Sequence, residues 1–394
     1  MNMNLLTITW SGGENNPFAY FNESLRHELR SLGVRCFDVE LGPQFGPTLN
    51  DILAKNRIDI ALTFQGLGSH LQDAEKRNIW EMLGIQLVAL HGDHPCHMPA
   101  NHATDLPHVH HLYGAPSWAV YSETHFRRQK PVHFFIAPNF FKLRPPVEPV
   151  ESEVFFVFPK NLDDIRGLLA EWQEKFPSDM AALLTEATHA IQENCRAGDP
   201  IEHHELIDQL LTPERFDSLV RSFKPTSAKE LFHYIHSLLD KIYRNAVSEV
   251  VMAELHDVPM LICGRGWDRH QQKASRFHTF KSFDTVANGD HQFRSRYGIL
   301  DVTPSKDSFH DRALRAMALG GGFLSNSQLN FSKLIGTTEP ALFYTCRPGD
   351  LRQKAEAVMQ DPGAHRARCA DFSRAWDQQF TMYNFYQFLT SLKK

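Results

Sequence analysis

Apolar runs and helical stripes alternate along the first 145 residues. Leu5 to Trp10 form a mostly apolar run that reads as a buried strand. A polar loop follows, and then Leu25, Leu29 and Leu32 recur at helical spacing. The pattern repeats with a strand at 34–41 and a helix around Leu49, Ile52 and Leu53. A strand at 58–64, a helix from Ala74 to Leu83 and a strand at 85–91 complete it. Apolar strands separated by helices predict β-α-β units and a parallel sheet.

The texture changes after residues 145–151. One strand-like run, Val154 to Pro159, precedes about 90 residues of helical signal. Leu162, Ile165, Leu168, Leu169 and Trp172 share one stripe, and Leu231, Ile235, Leu238, Leu239 and Ile242 share another. Helices also fit 180–193 and 203–223, and the region reads as scaffold joining two α/β parts. Alternation returns at 258, with strands predicted at Val258–Cys263, Phe277–Phe283, Tyr297–Val302, Gly321–Asn326 and Pro340–Cys346. Phe372, Trp376, Phe380 and Tyr383 predict one packed terminal helix. The expected architecture is α/β, with two Rossmann-like domains facing a cleft. The predicted divisions are an N-terminal domain at 1–145, a helical connecting region at 146–255, a C-terminal domain at 256–370 and a packing helix at 371–394.

Composition narrows the partners. The chain has 394 residues, 42% of them hydrophobic, with a net charge of −5. That balance suits a folded globular protein and gives no electrostatic reason to expect a nucleic-acid partner. The six cysteines are scattered without a C-x-x-C pair, so they read as small buried hydrophobes. The N-terminus lacks the basic start and apolar core of a signal peptide, and no stretch reaches the roughly 20 apolar residues of a membrane helix. The expected location is the cytoplasm, with any membrane association peripheral.

Residues 298–326 carry the chemistry. A strand ends near Val302, Pro304 stops its pairing, and Ser308 with Asp311 resembles a capping box before a helix from Asp311 to Leu319. Gly320 to Gly322 end that helix. The loop 303–310 therefore sits at the carboxyl end of a parallel strand and at a helix N-terminus, where open α/β sheets bind ligands and free N–H groups receive phosphate. Arg312 in the first turn opposes the helix dipole, which suits an anionic ligand better than it suits stability. Neutralisation of Arg312 and Lys306 by Asp307 and Asp311 is the competing explanation.

This segment resembles the donor-site motif of GT-B glycosyltransferases, and within them the CgeB-like spore-maturation branch. The matching residues are His310-Asp311-Arg312, Ala316-Met317-Ala318 and Gly320-Gly321-Gly322. Gly264-Arg265-Gly266-Trp267 is similar to the Gly-x-Gly-Trp turn of that branch. Phe64 to Gly68 and His91 to Pro95 resemble the ends of two N-domain strands. One departure stands out: Arg315 occupies the place where many retaining enzymes carry a second acid, eight positions after Asp307.

The resemblance implies a nucleotide-diphosphate sugar as donor, with no cofactor and no metal. Arg265 and Arg312, with Lys306, would stabilise the leaving diphosphate, and Ser305 would donate to a phosphate oxygen. Gly264, Gly266, Asp307 and His310 complete the candidate donor site. Asp93 or His91 would take the acceptor proton in an inverting reaction. Gly12 and Gly13 would let backbone approach a ligand after the first strand. His91, His94, His97, His102, His108, His110 and His111 crowd one region with Asp93 and Cys96, but their spacings fit no zinc pattern; His97, His102 and His108 read as loop histidines. The implied acceptor is a glycan, a lipid-linked glycan or a protein. A nucleotide-sugar epimerase on the same fold and a non-catalytic sugar- or nucleotide-binding protein are the alternatives.

Overall fold

The computed structural model describes residues 3–10, 17–126, 130, 132–141, 155–225, 227–267, 275–281 and 296–393. The first sheet is built from β1 (Asn4–Trp10), α1 (Pro17–Ser31), β2 (Arg35–Leu41), α2 (Phe45–Lys55), β3 (Ile60–Phe64), α3 (Ile79–Leu83), β4 (Gln86–His91), α4 (Pro99–His102), β5 (Val109–Tyr113), α5 (Pro116–Phe126) and β6 (His133–Phe134). Its six strands are all parallel, in the order β2-β1-β3-β4-β5-β6. The continuous apolar runs have a simple cause. Leu6, Ile8, Ala61 and Leu87 enter the core on one face, while Leu5, Ile60, Leu62, Val88 and Leu90 enter it on the other. Both faces are therefore buried.

The second sheet holds β7 (Phe156–Pro159), then α6 (Ile165–Lys175), α7 (Ser178–Ala197), α8 (His203–Leu210), α9 (Pro213–Phe223) and α10 (Ala228–Glu254). It continues with β8 (Met260–Cys263), β9 (His278–Lys281), β10 (Gly298–Asp301), α11 (Asp311–Ala318), β11 (Phe323–Ser325), α12 (Phe331–Ile335), α13 (Asp350–Gln360), α14 (Pro362–Gln379) and α15 (Met382–Ser391). The strand order is β11-β10-β7-β8-β9, again all parallel. Phe156–Pro159, grouped above with the connecting region, is thus the middle strand of this sheet. The five helices after it form one long crossover from β7 to β8.

Several boundaries differ from the sequence reading, each for a local reason. The predicted helix at 203–223 breaks at Leu211, because Pro213 starts a new helix with Thr212 capping Arg215 N–H. Residues 74–78 are turn, with Lys76 at φ 62°, and Asn78 caps the short α3. Pro340–Leu342 is a 3-10 turn with one bridge from Ser325 to Phe343 where a strand was expected. β5 and α5 were not anticipated, since two histidines interrupt the apolar pattern of β5. The terminal aromatic stripe spans two helices, α14 and α15, divided at Phe380 and the Thr381 cap. α15 returns to the first domain, where Phe385 lies 5.2 Å from Phe135. Among the described residues no helix is long and apolar enough to cross a membrane.

Candidate functional site

The carboxyl ends of the two sheets face each other across a cavity of about 690 Å³. One wall comes from the first domain: Gln65 after β3, His91 and Asp93 at β4, Trp118 of α5 and the aromatic run around Phe140 and Phe141. The other comes from Asn161 after β7, Arg265 after β8 and Ser308 to Arg312 before and within α11.

Asp93 stands half-exposed on the first wall. Its Oδ2 accepts from Gln65 Nε2 at 2.9 Å, and its Oδ1 lies 3.6 Å from the Arg244 guanidinium. Gln65 reaches it because the chain leaves β3 through two left-handed residues, Gln65 at φ 54° and Gly66 at φ 63°. A Cβ on Gly66 would meet Asn101 O at 2.8 Å, so this turn needs glycine. Neither Gln65 nor Arg244 was singled out in the sequence; only the Phe64–Gly68 likeness pointed near the first.

His91 ends β4 and is buried. The Thr104 carbonyl can only accept, so His111 Nε2 donates to it at 2.8 Å. His111 Nδ1 is then an acceptor, and His91 Nε2 donates to it at 2.9 Å. His102, read above as a loop histidine, is a buried residue of α4 whose Nδ1 lies 2.9 Å from Tyr113 OH. His108 is buried too, and His97 Nε2 lies 2.7 Å from Asp240 Oδ2. His97 and His108 do lie in loops, as read above, whereas His102 belongs to α4.

On the second wall Arg265 is exposed, and among the described residues its guanidinium makes no hydrogen bond or ion pair. Its backbone is fixed: the N–H donates to Asn161 Oδ1 at 2.9 Å and the carbonyl accepts from Leu162 N–H at 2.9 Å. Gly264 and Gly266 line no part of the cavity. They let the β8 exit press against the β7 exit, since a Cβ on Gly264 would lie 2.1 Å from Lys160 O and one on Gly266 1.7 Å from Leu162 O. Trp267 Nε1 donates to Lys160 O at 2.7 Å on the same seam.

The loop 303–310 divides in two. Its first half is buried against other elements. Ser305 Oγ lies 2.9 Å from Glu202 Oε1 and 2.6 Å from Asp307 Oδ1, and Lys306 donates its N–H to Glu202 and its ammonium to Glu205 at 2.8 Å. Asp307 accepts from Ser117 N–H at 2.7 Å and from Ser117 Oγ at 2.8 Å. Burial, with the Asp307 charge beside it, pushes the Glu202 carboxyl up to about 7 against the hydrogen bonds from Lys306 and Ser305. Ser305, Lys306 and Asp307 therefore grip α8 and the start of α5 and stand outside the cavity lining.

The second half opens to the cavity. The N-cap of α11 is His310, whose Nδ1 accepts from Arg312 N–H at 3.2 Å; Ser308 instead donates from Oγ to Ser305 O at 2.8 Å. His310 Nδ1 also lies 2.6 Å from Asp311 Oδ1, so a proton on that nitrogen exchanges the cap for a bond to the carboxylate. Burial alone would raise the Asp311 carboxyl, but His310, Arg315 and Arg312 outweigh it and hold it below the usual carboxylate range. Arg312 is heavily committed. Nε donates to Asp301 Oδ1 at 3.0 Å, and the two terminal nitrogens donate to Pro159 O at 2.6 Å and Val302 O at 2.9 Å. It pins the ends of β7 and β10 together while its edge faces the cavity. Arg315 also lines the cavity, with its guanidinium 5.5 Å from the Tyr20 ring of the opposite domain. Gly12 and Gly13 lie outside the described residues.

No protein-family model and no curated protein matches the sequence. Solved structures do match. Sucrose-phosphate synthase from Thermosynechococcus elongatus aligns over 99% of this chain and 99% of its own, with TM-score 0.55 and 11% identity. T4 phage BGT, solved with its UDP-glucose substrate, aligns over 99% of each chain with TM-score 0.53 and 7% identity. At these identities the likeness establishes the fold: two Rossmann-like domains of the GT-B kind.

Proposed function

We propose that this chain is a glycosyltransferase that moves a sugar from a nucleoside-diphosphate donor to an acceptor hydroxyl within the interdomain cavity. The observation that carries this reading is the placement of Arg265 and the α11 N-terminus on one wall and the half-exposed Asp93 carboxylate on the other. Charge grows on the departing diphosphate as the glycosidic bond breaks. An exposed guanidinium and helix N–H groups can meet that charge without a metal. Asp93, oriented by Gln65 and Arg244, takes the acceptor proton as the acceptor oxygen attacks the anomeric carbon from the face opposite the leaving group. UDP-glucose, the substrate of T4 phage BGT, is the first donor to try. Closeness to the CgeB-like branch rests on the 298–326 segment, and the acceptor classes are glycan, lipid-linked glycan or protein.

A thermal-shift panel of nucleoside diphosphates and their sugars tests the reading. A donor present at a hundredfold excess over its Kd adds about 2.7 kcal/mol of apparent stability, and acceptor-dependent release of the diphosphate must accompany binding. Release of an epimerised donor without acceptor points to the epimerase. Binding without turnover across a broad acceptor panel points to a non-catalytic binding protein.

A further inference from the structure

We infer that His94, His203 and His204 form a binding site for a transition-metal dication of the zinc class, tying the loop after β4 to α8 across the domain boundary. One ligand nitrogen from each ring lies within 4.8 Å of the other two. The rings of His203 and His204 stand 4.6 and 5.6 Å from that of His94. His236 stands behind them, 5.5 Å from His203. Neither the spacing of the early histidines nor the pair on α8 shows this in sequence, since the ligands are more than 100 residues apart.

The second observation is the number of unsatisfied nitrogens. Nε2 of His94, both nitrogens of His203 and both of His236 are buried without a hydrogen-bond partner among the described residues. Buried polar atoms in folded proteins are almost always paired, and a group left without a partner asks for an ion or a water.

The surroundings supply what a metal-bound imidazole needs. Asp240 Oδ1 lies 3.6 Å from His203 Nδ1, beyond hydrogen-bond length but close enough to receive that N–H once the ring turns to ligate through Nε2. Asp240 is itself held by Arg244 Nε at 2.7 Å and His97 Nε2 at 2.7 Å. Glu202 Oε2 lies 3.5 Å from His204 Nδ1 in the same relation. His94 accepts the Cys96 N–H at Nδ1, so ligation through Nε2 exchanges that hydrogen bond for a metal bond. His204 is only partly buried, which gives the ion a route in. Zinc–nitrogen bonds of about 2.0–2.1 Å would set the three nitrogens about 3.4 Å apart and fix the loop after β4 against α8. A water or a hydroxide completes the tetrahedron. The ion's role is to hold the domains, and it takes no part in the transfer step.

In the other three-histidine group, His91 Nε2, both nitrogens of His111 and His102 Nδ1 are already engaged with one another, Thr104 O and Tyr113 OH. It serves as the internal control. The test uses full-length, tag-free protein stripped with chelator. Zinc is titrated against a chromophoric competitor, and cobalt(II) absorption is recorded in parallel. The expected result is one equivalent bound, intense tetrahedral cobalt bands and a zinc-dependent rise in Tm. His203→Gln and His204→Gln each weaken zinc by at least about 100-fold, whereas His102→Gln binds as wild type does. Wild-type protein with no tetrahedral cobalt bands and no zinc-dependent Tm rise overturns the site. So does undiminished zinc affinity in both α8 variants. The cobalt spectrum of the wild type decides the question even where a variant does not fold. None of these readouts depends on sugar transfer.

Discussion

Arg312 is expected to be a structural pin first and a ligand contact second, and Arg312→Ala separates the two roles. In the folded protein its side chain is 13% exposed and faces the fully buried Asp301 carboxylate. Truncation removes the charge partner of Asp301 and the donors to Pro159 O and Val302 O. Removing one member of a buried ion pair costs about 3–5 kcal/mol, because the remaining charge stays desolvated. Water entering from the adjacent cavity can reach the two carbonyls, so the lower end of that range applies. Ser325 Oγ, 3.1 Å from Asp301 Oδ2, still donates to the carboxylate but carries no charge. Urea unfolding without ligand should show a loss of about 3 kcal/mol at unchanged m-value. Asp301→Asn in the same chain should recover about half of that loss by removing the stranded charge. If Arg312→Ala unfolds within about 1 kcal/mol of wild type yet binds no nucleotide, the pin assignment is wrong and the residue acts chiefly on ligand.

Arg265→Ala makes the opposite prediction: stability within about 0.5 kcal/mol of wild type, as for an exposed side chain, but nucleoside-diphosphate binding weakened by about 10–100-fold in isothermal titration. Asp93→Asn should leave donor affinity intact and lower kcat of acceptor-dependent turnover by about 100-fold or more; an unchanged kcat removes Asp93 from proton transfer. Gly66→Ala places a Cβ 2.8 Å from Asn101 O in a left-handed turn, so chemical denaturation should report destabilisation of about 1 kcal/mol or more. His365 is held down to about 4 by burial and by the charges of Arg368 and Arg366, against its bond to Tyr297 O. Its neutral form is favoured on folding, so stability is full above about pH 6.5 and falls as pH drops toward 4, by up to about 3 kcal/mol from this group. His365→Gln should flatten that acid limb of a pH-dependent unfolding series, and an unaltered slope would remove His365 as its source.

The first sheet was legible because β1, β3 and β4 are buried on both faces, which writes each of them as a mostly apolar run. β5 escaped for the complementary reason. Its core positions Val109, Leu112 and Tyr113 are interleaved with His110 and His111, and histidines that find partners inside a fold look polar in sequence. The strand at Phe156–Pro159 was visible as a strand, but its sheet was not. Nothing local in four residues says that their partners are Met260–Cys263 and Gly298–Ile299. The helix break at Pro213 was readable from Thr212-Pro213 itself.

Site chemistry was legible as residue types near a helix start and illegible as commitments. Lys306, Asp307 and Arg312 are charged residues flanking a phosphate-type turn, which is what an anion site needs, yet folding assigns them partners more than 100 positions away. Glu205 claims Lys306, Ser117 claims Asp307, and Pro159 claims part of Arg312. Arg265 differs because it follows a strand whose exit is locked by Gly264 and Gly266, so its backbone is rigid while its guanidinium stays exposed to the cavity. A cation that must meet growing diphosphate charge works best when its position is fixed by backbone and its donors are not already used. Under the proposed transfer reaction, that argument ranks Arg265 above Arg312 as the donor-phosphate contact. The order of their effects on nucleotide affinity, corrected for stability, is the measurement that ranks them.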